Sequence, residues 1–296
     1  MTLGNVVWNF GLACGLLLAP LTVGCLGTPT PLVPTLEGSV GYPYFGVQTD
    51  AQQLPSTGPG YVRFRPDTDI SWGRPRLIAA IADAAQHVSG QLPGGKPLLV
   101  GDLSAQFGGE IPRHRSHRSG RDVDLLWYVT TPSGVPTYNP GFVHVGPDLL
   151  AHTDDGYVRL DVPRQWALIR RLLTSPEMEV QWIFCSRPVE AILIDYARAR
   201  EEDYELLWRA ETVLLQPGDS LAHDDHIHVR IACTPEESIQ GCHGGGPHWN
   251  WLSELPTLEG PINRVLEEVA VEDPLTAKKP DDHEQAAGPT KPDSNG

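Results

Sequence analysis

Apolar positions recur along the middle of the chain with two distinct periods. Leu77, Ile81, Ala84 and Val88 repeat at helical spacing. Pro75 just ahead of them suits a first helical turn, where its missing N–H costs nothing. Trp166, Ile169 and Leu173 repeat in the same way after Pro163, and the Asp161 carboxylate can cap that helix. A third helix is predicted from Ser186 and Pro188 through Ile192 and Tyr196, and a fourth over 204–215. Short apolar runs of strand length lie between them, over 97–100, 123–128 and 180–184. Residues 226–231 alternate strictly, the pattern of a half-buried antiparallel strand. Strands and helices do not alternate regularly enough for a doubly wound fold. The chain reads as α+β, an antiparallel sheet flanked by helices.

The pattern changes at both ends. Residues 6–24 are largely apolar and uncharged, but the run is short and broken by Pro20, which disfavours a membrane span. Residues 1–24 read instead as a secretory signal, although no Lys or Arg opens them. Thr22-Val23-Gly24-Cys25 resembles a lipobox, so Cys25 is a candidate lipidation site and outer-membrane anchor. Residues 25–55, rich in Pro, Thr and Gly, read as a tether. Residues 263–296 are acidic, proline-containing and free of aromatics, which predicts a disordered tail. A folded unit over 56–262 remains.

Composition narrows the function. The 296 residues carry a net charge of −15, and the pI is near 5.1. That length can bury a substantial core. The acidic balance excludes the electrostatic footprint of a nucleic-acid binder, and also a basic face on anionic lipid. Five Cys are too few for a disulfide-dense scaffold.

Chemistry gathers in two short stretches. One runs from His114 through His117 to Asp122 and Asp124, the other from His223 through His226 to His228. Alternation puts His226, His228 and Arg230 on one strand face, with Ile227, Val229 and Ile231 on the other. Neighbouring imidazoles on that face stand about 7 Å apart at Cα. Asp122 and Asp124 share a face in the same way. A glycine-containing loop lets His117 fold back beside Asp124. Catalytic zinc takes three protein ligands from His, Cys or carboxylate and keeps a fourth position for water. His117, Asp124 and His228 supply such a set, and His226 is placed to take a proton from that water.

At these residues the chain resembles the penicillin-insensitive murein endopeptidases, zinc peptidases of the group that includes lysostaphin, D-Ala-D-Ala peptidases and the hedgehog domain. The resemblance rests on Ser71-Trp72-Gly73-x-Pro75-x-Leu77, Gly101-Asp102-Leu103-Ser104 and Gly108-Gly109. It continues through His114-x-Ser116-His117-x-x-Gly120-x-Asp122-Val123-Asp124 and His223-x-x-His226-x-His228-Val229-Arg230. It implies a hedgehog-like fold and cleavage of the D-alanyl–meso-diaminopimelyl cross-bridge of peptidoglycan, in the periplasm or outside the cell. His117, Asp124 and His228 become zinc ligands by position, His226 the general base, and His223 a group that orients or stabilises the tetrahedral intermediate. Cys233 and Cys242 match a cysteine pair of that family, which implies a disulfide. His114 matches a residue that helps bind a second metal. Its partner stretch here begins at Asp155 and has Val158 where a His is expected, leaving His144 or His152 to substitute.

No Ser or Cys nucleophile is required, so a β-lactam would have nothing to acylate. Arg115, Arg118, Arg121 and Arg230 surround the site in sequence, and Arg121 and Arg230 are the candidates for holding substrate carboxylates in bidentate pairs. Cys185 is left without a role. Two other functions fit the same residues: a D,D- or L,D-carboxypeptidase on single stem peptides, and a non-catalytic, zinc-stabilised peptidoglycan-binding lipoprotein. Retention of His223 and His226 beside a full ligand set favours turnover over binding.

Overall fold

The computed structural model describes residues 37–255 apart from Glu177. The stretch expected to be a signal sequence (1–24), Cys25 and the acidic segment over 263–296 lie outside the described residues. Seven strands form the main sheet, in the order Leu214–Leu215, Val180–Phe184, His226–Ile231, Asp122–Leu126, Leu98–Val100, Tyr61–Arg63 and Thr57–Gly58. We call His226–Ile231 the histidine strand and Asp122–Leu126 the aspartate strand. They are antiparallel neighbours at the centre.

Antiparallel pairing does not hold throughout. Val180–Phe184 runs parallel to Leu214–Leu215, and Tyr61–Arg63 runs parallel to Leu98–Val100. The reason is the connections. Parallel neighbours need a crossover, and helices supply it on both sides. Helix α1 (Pro75–Gln91) joins one pair, while α3 (Arg187–Ala199) and α4 (Tyr204–Val213) join the other. The fold is therefore α+β around a mixed sheet whose central strands are antiparallel.

Helix starts follow the local chemistry. Pro75 opens α1, which buries Leu77, Ile78, Ile81, Ala84 and Val88. The Asp161 side chain accepts the Arg164 N–H at the start of α2 (Val162–Thr174), as its position predicts. Helices α1 to α4 pack against one another, and their apolar faces share one core with Val123, Leu125, Ile183, Ile227 and Val229. Period two then leaves Asp122, Asp124, His226, His228 and Arg230 on the face away from the helices.

Three features escape the sequence patterning. A four-stranded sheet forms from Pro136–Thr137, Val129–Thr130, Gly156–Leu160 and Leu150–Thr153. An antiparallel hairpin, Ser39–Tyr42 with Phe45–Gln48, stands where a tether was expected. It braces the loop before the aspartate strand: Gly109 donates to the Gly46 carbonyl, Arg118 N–H to that of Pro43, and Gln48 Nε2 to that of Ala105. Gly120 in that loop has φ +77°, and a Cβ there would overlap the Gln48 side chain. The third feature is a short helix, α5 (Pro235–Ile239), inside the loop closed by the Cys233–Cys242 disulfide. Its Glu237 is buried, pairs with Arg74 and Arg76, and accepts N–H bonds from Ser39 and Thr234. Among the described residues, no helix is long and apolar enough to cross a membrane.

Candidate metal centre

Three donor atoms converge beside the central strands. His228 stands opposite Asp124 in the strand register, and its Nδ1 lies 3.2 Å from Asp124 Oδ1. His117 Nε2 lies 3.2 Å from the same oxygen and 3.2 Å from His228 Nδ1. Atoms bound tetrahedrally at about 2.0–2.1 Å from one ion stand about 3.3–3.4 Å apart, so this triangle has the size of a zinc shell. Both Asp124 oxygens are buried, and neither accepts a hydrogen bond of proper geometry. A buried carboxylate in that condition is costly unless a cation satisfies it. Among the described residues, side chains that can hold a metal form two groups, His114 with His117 and Asp124, and His223 with His226 and His228. The triangle takes its members from both.

The outer nitrogen of each imidazole is already committed. His117 Nδ1 lies 3.1 Å from the Leu103 carbonyl, which fixes it as the N–H and leaves the Nε2 lone pair facing Asp124. His228 Nε2 lies 2.8 Å from Asp122 Oδ1, which leaves Nδ1 free on the same side. Such outer partners set tautomer and ring orientation in metal sites. The His117 backbone is left-handed, with φ +64°, and Asp122 Oδ2 accepts its N–H. That turn returns the imidazole to the sheet. Burial would raise the Asp122 carboxyl, but Arg230, bonded through Nε at 2.6 Å, and the His228 imidazole hold it far below the usual carboxylate range. Asp124 behaves similarly: burial is outweighed by His117 and His226.

His226 and His223 stand on the open side. His226 Nδ1 lies 2.6 Å from Asp225 Oδ1, and its Nε2 is 3.3 Å from Asp124 Oδ1. Burial alone would lower its pKa, but Asp124 and Asp225 push it up to about 10. Burial, with His228 and His226 beside it, pushes His223 down to about 4. His223 is therefore neutral at neutral pH and offers a hydrogen bond rather than a charge.

Residues 39–248 match the profile of the family described as penicillin-insensitive murein endopeptidase. The chain belongs to that family. A relative bearing the same name, from Klebsiella pneumoniae subsp. pneumoniae, is 28% identical over 209 residues, covering 68% of each chain. Membership of a murein endopeptidase family makes the chain a hydrolase of the peptidoglycan-cleaving kind. The matched stretch contains the hairpin, both central strands and the disulfide loop.

Other expected site residues of this murein endopeptidase relative fall elsewhere. Arg121 is fully buried, and its guanidinium donates to the carbonyls of Ile231, His243 and Gly244. It cannot hold a substrate carboxylate. Alternation explains this, since Arg121 is out of phase with Asp122 and Asp124. Arg230 does share their face, but its Nε is spent on Asp122 and its guanidinium lies over the Phe184 ring. Arg115 is exposed, and Arg118 lies 3.9 Å from Glu110. Asp155, His144 and His152 join neither metal-competent group. His144 pairs with Asp224, and His152 packs on Tyr157. His114 Nε2 lies 2.9 Å from Asp102 Oδ2 instead, so the second-metal set is not assembled. Cys185 is buried in the core, and burial pushes its thiol pKa up.

Sequence reasoning quoted Asp102 only as part of a motif and did not single out Asp225, yet these carboxylates anchor His114 and His226. The signal for Asp225 was adjacency: it directly precedes a site histidine. Phe142 was invisible in sequence and packs edge-on against His226.

Proposed function

We propose that the chain is a zinc-dependent endopeptidase that cleaves D-alanyl–meso-diaminopimelyl cross-bridges of peptidoglycan. The observation that carries this is the 3.2 Å triangle of His117 Nε2, His228 Nδ1 and Asp124 Oδ1 around an unsatisfied buried carboxylate. Its setting in a murein endopeptidase family supplies the substrate class.

His117, Asp124 and His228 would hold the zinc through two nitrogens and one oxygen. Bound there, zinc supplies a Lewis acid and lowers the pKa of a coordinated water to roughly 7. Asp122 and the Leu103 carbonyl keep the two imidazoles in the tautomers that coordination needs. His226 Nε2 accepts the proton of the attacking water and later delivers it to the departing amine. Asp225 holds His226 in the tautomer for that transfer. A cation held by Asp124 would offset that carboxylate's pull on His226 and favour the neutral form a base requires. His223 donates a hydrogen bond where negative charge develops on the scissile carbonyl oxygen. Export through the N-terminal signal, with lipid attachment at Cys25, would deliver this chemistry to the cell wall.

Digestion of purified cross-linked muropeptide dimers, with and without chelator, tests the reading. Monomers should appear, stop with chelator and return with added zinc. Loss of a single terminal residue from monomeric stem peptides would instead identify a carboxypeptidase. Dimer binding without any product would identify a non-catalytic binding protein.

A further inference from the structure

The arginines that sequence proximity offers for substrate binding are mostly consumed by the fold, and two others stand at the mouth of the site. Arg65, on the chain just after strand Tyr61–Arg63, places Nη1 2.8 Å from Asp102 Oδ2. Arg113 brings Nη2 to 3.4 Å from the same oxygen. Asp102 is buried and also holds His114, whose other ring nitrogen lies 3.8 Å from Asp124 Oδ2. The Arg65 guanidinium lies 5.2 Å over the Phe142 ring, and that ring packs edge-on against His226 at 5.4 Å. One ring thus separates Arg65 from the proposed base, and one imidazole separates Asp102 from a proposed ligand.

Both guanidiniums keep donors to spare. Each has five N–H groups, and among the described residues the only side-chain hydrogen bond of either is the one to Asp102. Arg65 is 30% exposed and Arg113 58%. Two guanidiniums share the Asp102 carboxylate, so their outward faces present positive charge on a chain whose net charge is −15. Low-dielectric walls focus such a field on an anionic ligand. Planar guanidiniums held by an outer carboxylate are pre-set to take another carboxylate in paired hydrogen bonds.

We propose that Arg65 and Arg113, steered by Asp102, form a carboxylate subsite that reads a free carboxylate of the stem peptide and sets substrate preference. This rests on the peptidoglycan reading above and adds the residues that select among its substrates. Within a cross-linked dimer the free carboxylate can belong to diaminopimelate or to a terminal D-alanine, and the two are separable by amidation.

The test compares four proteins: wild type, R113A, R65K and the double variant R65A/R113A. Each is given dimers that are unmodified, amidated only at diaminopimelate, or amidated only at terminal D-alanine. Wild type should lose roughly 10–100-fold in kcat/KM on one amidated substrate, the size of a charge-assisted contact. The double variant should lose that discrimination while keeping its zinc content, and single R113A, which leaves the Arg65–Asp102 pair in place, should lose part of it with its thermal transition unchanged. R65K should retain part of it. Calorimetric binding of uncross-linked tetrapeptide, free and amidated, repeats the comparison without turnover. Equal handling of free and amidated peptides by wild type in both assays overturns the proposal, as does an equal loss on every substrate in the double variant. Absence of cleavage with carboxylate-selective binding intact would count against the endopeptidase reading and leave the subsite standing.

Discussion

His228 faces Asp124 across the two central strands, so a single backbone pairing sets the 3.2 Å between Nδ1 and Oδ1. Two of the three vertices are thus built into sheet hydrogen bonding. The third, His117, arrives on a loop and depends on the left-handed turn at its own backbone.

Each vertex should be indispensable for metal. His117→Ala, Asp124→Ala and His228→Ala should each lose stoichiometric zinc, because each removes one of three protein donors. Elemental analysis of the purified variants decides it, and one equivalent of zinc retained in any of them removes that residue from the ligand set.

His226→Ala should retain zinc and fold while cross-link cleavage falls by about 10²–10⁴-fold. Metal content, a thermal melt and dimer digestion on one preparation separate the outcomes. Loss of metal would make His226 a ligand, and His223 would become the next base to test. Full activity with full metal would end the proposed proton transfer.

Glu237→Gln should destabilise the fold by about 2–4 kcal/mol at neutral pH, since it leaves the half-buried Arg74 and Arg76 facing a neutral partner. Burial opposes ionisation of Glu237, but Arg76, the Thr234 N–H and Arg74 outweigh it and lower its pKa. A depressed folded pKa gives stability that is present above the unfolded value, about 4.3, and lost as pH falls below it. Urea unfolding from pH 7 to pH 3 should therefore bring wild type and variant closer together. A constant gap across that range would rule out the ionised form as the source.

Replacing Cys233 and Cys242 together by Ser should cost about 2–3 kcal/mol, because the cross-linked residues are only nine apart. Equilibrium unfolding of wild type with and without reductant should give the same difference. In native protein Cys185 should resist alkylation, since it is buried, and should react once the chain is unfolded. Ready labelling of Cys185 in the folded state would contradict its place in the core.

The long helices were legible because Leu77, Ile81, Ala84 and Val88 repeat where α1 meets the core. The aspartate and histidine strands were legible because period two sorts Asp122, Asp124, His226 and His228 onto one face. The parallel pairs were not, because Leu214–Leu215 and Tyr61–Arg63 are too short to carry a period. The hairpin was hidden by Gly41, Pro43 and Gly46, which read as punctuation although they form its turn and its contact surface. Arg121 is next to the site in sequence but out of phase with Asp122 and Asp124, and strand phase, not nearness, decides which side chains reach the site. Arg65 was missed because nothing local ties it to His114; Asp102 brings them together only in the fold.

The hairpin has a practical consequence for where this protein can be cut. A fragment begun at residue 56 keeps every strand of the main sheet and every candidate ligand. It discards the carbonyls of Gly46 and Pro43 and the Gln48 amide that hold the His117 loop from behind. Such a truncation should yield a soluble, helical domain with a crippled zinc affinity. The minimal active unit is therefore longer than the sheet that displays the site.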